Sequence, residues 1–191
     1  MEQPISMKQG EGKFIHSSKL LLYISIGSMT MLFAGLTSGY IVRQAQENWL
    51  VFDLPSAFHV STVLILISSL TMHWALTSIK KNNLEKTRLA LMITLGLGLG
   101  FCFTQFLGWS QMVSQNIYFN GNPSGSFLYA ITVVHLGHMV AAIIAIINVN
   151  LKCLKGKYSQ NNYLGISLVS IFWHFLDIMW IYLFVFLLFV R

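Results

Sequence analysis

The sequence predicts an all-α fold: a polytopic membrane helix bundle with five transmembrane helices and a cytoplasmic N-terminus. Three observations carry that prediction. Only 9% of the 191 residues are charged, against roughly 25% in soluble domains, while 55% are hydrophobic. Uncharged stretches recur at lengths that cross a bilayer, where about 20 apolar residues span the hydrocarbon as a helix. The cations also fall on alternate sides of those stretches, which sets the direction of threading. Too little polar surface is left to cover a water-soluble globule, and the chain is too apolar for a disordered tail. The net charge of +6 would suit a nucleic-acid partner only if it gathered on one folded face.

The elements follow in order. Residues 1–19 form a polar tail with Glu2, Lys8, Glu11 and Lys13, and residues 20–191 form the five-helix domain. The first apolar run, Leu20 to Val42, is 23 residues long and has no A-x-A site after it, so it reads as a retained span and not a cleaved signal peptide. Leu54 to Ile79 gives a second run of 26 residues, and Leu89 to Leu151 a third of 63, too long for one crossing. The third is broken by Asn120-Gly121-Asn122-Pro123-Ser124-Gly125, residues that bond their own backbone or accept positive φ. A last run, Leu164 to Val190, holds one acid, Asp177. The predicted spans are 20–42, 54–79, 89–113, 126–150 and 164–190. All are helices, because a backbone in lipid must satisfy its own hydrogen bonds. The longer ones reach about 38 Å at 1.5 Å per residue, so they tilt or enter the headgroups.

Ten of the twelve cations lie on one side: Lys8, Lys13 and Lys19 in the tail, Lys80, Lys81, Lys86 and Arg88 in the second connection, Lys152, Lys155 and Lys157 in the fourth. The other side has Arg43 and Arg191, with Glu47 and Asp53 near the former. The positive-inside rule puts the N-terminus in the cytoplasm and the C-terminus outside. The basic balance is thus topological, with attraction to anionic lipid headgroups as a secondary effect and no nucleic-acid partner. Cys102 and Cys153 are 51 positions apart and form no C-x-x-C, so neither a structural disulfide nor a zinc site is indicated.

Small residues mark expected helix contacts. Gly35 and Gly39 form a G-x-x-x-G on the first span, Gly96 and Gly100 another on the third, and Gly137, Ala141 and Ala145 a stripe on the fourth. Such stripes let backbones approach where no hydrophobic force drives helices together. The Leu95-Gly96-Leu97-Gly98-Leu99-Gly100 run lacks the lysine and the strand context of a phosphate loop and reads as packing.

Ionisable residues inside a membrane are costly, and so mark candidate functional sites. His73, His135, His138, His174 and Asp177 lie within spans. By helical rise His135 and His138 are about 13 and 18 Å from one boundary, and His174 and Asp177 about 15 and 20 Å from the other, so the four share a depth and can meet. Each pair is spaced i, i+3, on one helix face. Trp173 and Trp180 bracket Asp177 and offer indole donors, so Asp177 is expected to accept a hydrogen bond from the fourth-span histidines or from an indole. The residues alone leave three readings: an interhelical polar clasp, a proton relay, or haem or metal ligation by histidines on separate helices. His73 reads as a packing histidine, while His59 and His16 belong to no constellation. The fifth span is also rich in aromatics, Phe172, Phe175, Tyr182, Phe184, Phe186 and Phe189 besides the two tryptophans, which reads as core packing or a face for a partner.

Taken together, these stretches resemble subunit III of the haem-copper respiratory oxidases, in its short five-helix bacterial form. Trp173-His174-Phe175-Leu176-Asp177-Ile178-Met179-Trp180-Ile181-Tyr182-Leu183-Phe184 looks like the family's W-H-F-x-D-x-x-W-x-x-L-F signature. Gly125-Ser126-Phe127 with Thr132, His135 and His138 is similar to its G-S-x-F…T-G-x-H-x-x-H stretch, with Val133 where a glycine is usual. Phe33, Gly35, Ser38, Tyr40 and Arg43 fit the first-span pattern M-x-F-A-G-L-x-S-x-Y-x-x-R. The family's two membrane carboxylates are missing: Met29 follows Ser28, and Gly108 follows Gln105-Phe106-Leu107.

The resemblance implies an accessory subunit of a proton-pumping cytochrome c oxidase in the bacterial plasma membrane, working in aerobic electron transport. It implies no catalytic residue, no metal and no redox centre in this chain, with haem and copper in partner subunits. It also implies packing on subunit I beside other oxidase subunits, support of proton uptake, and phospholipid held in a cleft between helices. A quinol oxidase subunit III and the subunit-III-like protein of nitric oxide reductases are the neighbouring readings. A free-standing diheme cytochrome using His73, His135, His138 and His174 is the remote one.

Overall fold

The computed structural model describes residues 5–45, 49–160 and 162–190, with side chains from residue 17 onward. Glu2, Lys8, Glu11, Lys13, His16, Glu47 and Arg191, used in the sequence argument, lie outside the described side chains. Five helices follow one another: α1 (Ile5–Gln44), α2 (Ser56–Lys80), α3 (Leu84–Ser114), α4 (Pro123–Leu154) and α5 (Leu164–Phe189). All five are long and apolar enough to cross a membrane, α1 through its portion Ser17–Gln44. No strand occurs among the described residues.

Helices α1, α3 and α4 overrun their apolar stretches, while α2 and α5 keep close to theirs, and side-chain caps set the starts of α3 and α4. The polar tail is drawn into α1, which starts at Ile5. At the start of α3 the Asn83 side chain accepts from the Lys86 amide at 3.1 Å, satisfying one of the free N–H groups of the first turn. Asn122 does the same for Ser124 at 3.0 Å, with Pro123 in the first turn. The expected turn over 120–125 is therefore shorter than its composition suggests: Pro123, Ser124 and Gly125 already belong to α4.

Three helices stop in the same way. Asn82, Asn116 and Gly156 take φ of 56°, 60° and 67°. In each case the next amide reaches back to a carbonyl five residues earlier: Asn83 to Ser78, Ile117 to Met112, Lys157 to Lys152, at 3.0 to 3.1 Å. A left-handed residue after the last turn closes the orphan carbonyls, and asparagine tolerates it better than other residues with a Cβ. The first of these stops makes a tight α2–α3 hairpin. Its two arms run antiparallel, with Thr71 facing Thr94 partway along (Oγ1–Oγ1 2.8 Å) and the Ala57 amide donating to Gln111 at the open end (3.3 Å).

Helices α2, α3, α4 and α5 form a closed four-helix ring in that order, α5 returning to α2. Helix α1 lies outside the ring, against α4 and α5. The ring interior holds Phe58, Ile65, Met72, Leu91, Phe101, Met139, Trp173, Leu176 and Trp180, all essentially buried within the chain. Apolar contacts give no net transfer gain when the solvent is lipid, so close fit and hydrogen bonds must hold the ring.

The close fit is not where the small-residue stripes suggested. A Cβ on Gly35, Gly96 or Gly137 would meet nothing within 4 Å. A Cβ on Gly98 would stand 2.7 Å from the Trp173 ring, and one on Gly108 2.5 Å from Phe58. Gly39 and Gly100 meet only ordinary or slightly tight contacts, with Phe127 and Leu64. Spacing says which glycines share a face; it does not say whether that face looks into the bundle.

Candidate functional site

The α5 signature folds into a polar seam against α2. The Trp173 indole donates to Ser68 Oγ at 3.1 Å and the Trp180 indole to Thr62 Oγ1 at 3.0 Å. Between them His174 Nδ1 shares a hydrogen bond of 2.8 Å with Ser69 Oγ. The α2 hydroxyls are themselves oriented, Ser68 donating to the Ile65 carbonyl at 2.7 Å and Thr62 to Phe58 at 2.8 Å. Interhelical bonds of this kind average about 0.6 kcal/mol in membrane proteins. The seam therefore fixes register and rotation more than it supplies stability.

Asp177 sits inside this seam, beside His174. Its side chain is 3% exposed, and neither carboxylate oxygen has a hydrogen-bond partner. His174 Nδ1 stands 3.8 Å from Oδ2, within ion-pair distance but beyond hydrogen-bond range. The expected bond from an indole or from the α4 histidines is not formed. Both indoles are engaged by α2 hydroxyls, and the α4 histidines face elsewhere. His174 is 31% exposed, so its ring runs from the buried carboxyl to the outer surface of the α2–α5 seam.

The α4 pair separates by environment. His135 is completely buried, its ring 5.1 Å from Trp180, 5.9 Å from Phe101 and 6.1 Å from Phe33. His138, one turn on, is half-buried, donates through Nδ1 to the Val134 carbonyl at 2.8 Å, and lies 5.9 Å from Phe33. The two pairs share a depth but not a space: α4 and α5 meet at His135 through the Trp180 ring and not through Asp177. His73, expected to be packed, is exposed on α2, whose inward face carries Ser68, Met72, Ala75 and Ile79 instead. Among the described residues no group of three or more His, Cys, Asp or Glu converges as a metal would require.

The first-span motif divides between two faces of α1. Phe33 and Tyr40 point into the protein; Tyr40 packs edge-on against Trp49 at 4.7 Å and Phe186 at 5.3 Å. Gly35 and Ser38 are exposed, and Arg43 is half-buried near the helix end. Thr37 shares a hydrogen bond of 3.1 Å with Tyr182, tying α1 to α5. Met29 lines an open cleft of about 500 Å³ with Ser25, Ser28, His138 and Phe172. The position of the second missing carboxylate is different: the Phe58 ring fills the space beside Gly108 and stands edge-on to Trp180, 6.0 Å away.

Sequence reasoning missed the acceptors Thr62, Ser68 and Ser69, because it aimed the indoles at Asp177 and did not look for hydroxyls on α2. A signal was present: α2 places hydroxyls in steps of about two turns in a charge-free span, opposite two tryptophans seven residues apart. Gln105, fully buried on α3, was also passed over.

The family model for cytochrome c oxidase subunit III matches residues 51–190, which takes in α2 to α5. Cytochrome c oxidase subunit 3 of Bacillus sp. (strain PS3) is 26% identical over 181 residues, covering 92% of this chain and 84% of the relative. Probable cytochrome c oxidase subunit 3 of Nocardia farcinica (strain IFM 10152) is 29% identical over 189 residues, covering 93% of each chain. The subunit 3 of Corynebacterium diphtheriae is 25% identical over 182 residues, covering 88% of each.

Proposed function

The chain belongs to the cytochrome c oxidase subunit III family, and from that premise we propose that it is the redox-silent accessory subunit of a haem-copper terminal oxidase, seated against subunit I. It is a multi-pass membrane protein and part of an oxidase complex. Cytochrome c is the electron donor of that complex, as the names of the relatives suggest. Haem and copper belong to partner subunits, and the chain keeps its own polar residues for helix packing. The observation that carries this reading is the fate of the family signature on α5, whose indoles and His174 hold α2.

In the bacterial plasma membrane the N-terminus faces the cytoplasm and the C-terminus the outside, supported by the ten cations of the tail and the two basic connections. The described lysines of those connections are exposed, at the inner ends of α2, α3 and α4. Arg88 is used inside the fold, its guanidinium donating to the Cys153 carbonyl at 2.9 Å and capping α4. A phospholipid chain occupies the cleft between α1, α4 and α5, whose walls at Met29 and Phe172 are apolar. Support of proton uptake into subunit I does not run through the family's two usual carboxylates, since Met29 and Gly108 replace them.

Two measurements test the reading. In mild detergent the chain is expected to co-purify with the haem- and copper-bearing subunit. Purified alone it is expected to show no Soret absorption, and a haem band in the isolated chain would overturn the accessory role.

A further inference from the structure

Two fully buried polar side chains take no part in the α2–α5 seam. Gln105 on α3 and His135 on α4 are both 0% exposed, and none of their four side-chain polar atoms has a hydrogen-bond partner. Protein interiors satisfy nearly all such atoms, and membranes offer no outside water to do it.

Their neighbours place the two side by side. On α3, Phe101, Gln105 and Trp109 follow at four-residue steps, so each is turned only about 40° from the last. Phe101 packs edge-on against the His135 ring at 5.9 Å, and the Trp109 indole donates to Thr132 Oγ1 at 3.0 Å. Thr132 and His135 are one turn apart on the inward face of α4, both buried. Gln105, midway between Phe101 and Trp109, therefore faces α4 at the turn Thr132 to His135. The Phe33, Phe101 and Trp180 rings pack around His135.

We propose that Gln105 and His135 form one hydrogen-bonded unit bridged by a single internal water, a hydration site in the α3–α4 interface at mid-membrane. The chemistry matches. A neutral imidazole offers one donor and one acceptor, an amide two donors and an acceptor, and a water can serve both. Buried waters occupy such places, bonded to about three otherwise unsatisfied groups. The bridge sets the ring orientation of His135 beneath Trp180 and ties α3 to α4 as the hydroxyl seam ties α2 to α5. Thr132 has no proton to give it, because its hydroxyl already donates to the Leu128 carbonyl at 2.8 Å while accepting from Trp109.

A double-mutant cycle on the purified oxidase complex tests the unit. Gln105→Leu and His135→Leu each strand the other partner, so each lowers the melting temperature of this subunit. The double variant strands nothing and is expected to melt above the sum of the two losses. Strictly additive losses would overturn the pairing. Should His135→Leu fail to assemble, a map of the wild-type complex fine enough to resolve water decides the matter. Density within hydrogen-bond distance of both side chains supports the bridge. A direct Gln105–His135 bond, or separate partners for each, overturns it.

Discussion

Helices α1 and α5 both carry family signatures, yet the fold uses them in different ways. On α5, Trp173, Asp177 and Trp180 are all turned inward, where the two indoles find hydroxyls on α2. On α1 the signature is split, Phe33 and Tyr40 inward, Gly35 and Ser38 outward. The most apolar window of α5 is 39% buried within the chain, that of α1 only 17%. A ring helix has neighbours on two sides and uses its motif to set their register. A peripheral helix has neighbours on one side and leaves half of its motif for whatever lies beyond. The family model matches the ring and stops short of α1. The 93% coverage shared with the Nocardia relative nonetheless requires most of α1.

The hardest test of this contrast is Trp173→Ala. It removes the bond to Ser68 and empties the space pressed against Gly98, with an expected loss of about 3–5 kcal/mol. Thermal melting of the purified complex, followed through this subunit, would read it. A loss below that of an outward α1 substitution would end the distinction between ring and periphery.

Next in size are substitutions that overfill. Gly98→Leu drives a side chain into Trp173, and Gly108→Glu drives the family's carboxylate into Phe58, each costing about 1–3 kcal/mol from overpacking alone. Met29→Glu, at the wall of the open cleft, meets no such ring and is expected to lower assembly less than Gly108→Glu. Expression and assembly yields of the three variants compare a closed site with an open one. Equal yields for Gly108→Glu and Met29→Glu would show that Phe58 does not guard the interior position.

Asp177→Leu is expected to act on assembly. The carboxyl makes no hydrogen bond inside the chain, so its removal changes helix packing by roughly 1 kcal/mol or less. The yield of complex should fall more than turnover per assembled complex. Full assembly with a large drop in turnover would instead make Asp177 and His174 a proton relay. The smallest effect belongs to Gly35→Leu, whose added side chain meets nothing within the chain and should leave its stability within about 0.5 kcal/mol. A cost like that of Gly98→Leu would place Gly35 inside the ring.

The spans were legible because partition into lipid is nearly additive along a helix, so Leu54–Ile79 and Leu164–Val190 announce themselves without any partner. The ends were legible only in part. Asn83 and Asn122 cap α3 and α4 outside the apolar runs, and Pro123, which composition assigns to the turn, opens a helix. The site was legible as a list and not as a set of partners. His135 and Asp177 share a depth, but depth is one coordinate, and the azimuth that sends one toward Phe101 and leaves the other behind His174 depends on how four helices rotate against each other.

By itself the sequence determined the membrane class, the five crossings and the kinship, since each rests on local content: charge scarcity, run length and ordered motifs. Only the tertiary structure decided which glycines are tight, which hydroxyls receive the indoles, and that Asp177 is buried beside His174 while Gln105 and His135 are both fully enclosed. Those outcomes belong to pairs of helices. In lipid, where apolar surface is equally at home inside or outside the bundle, the rotation of each helix is chosen by fit and hydrogen bonding with its neighbours.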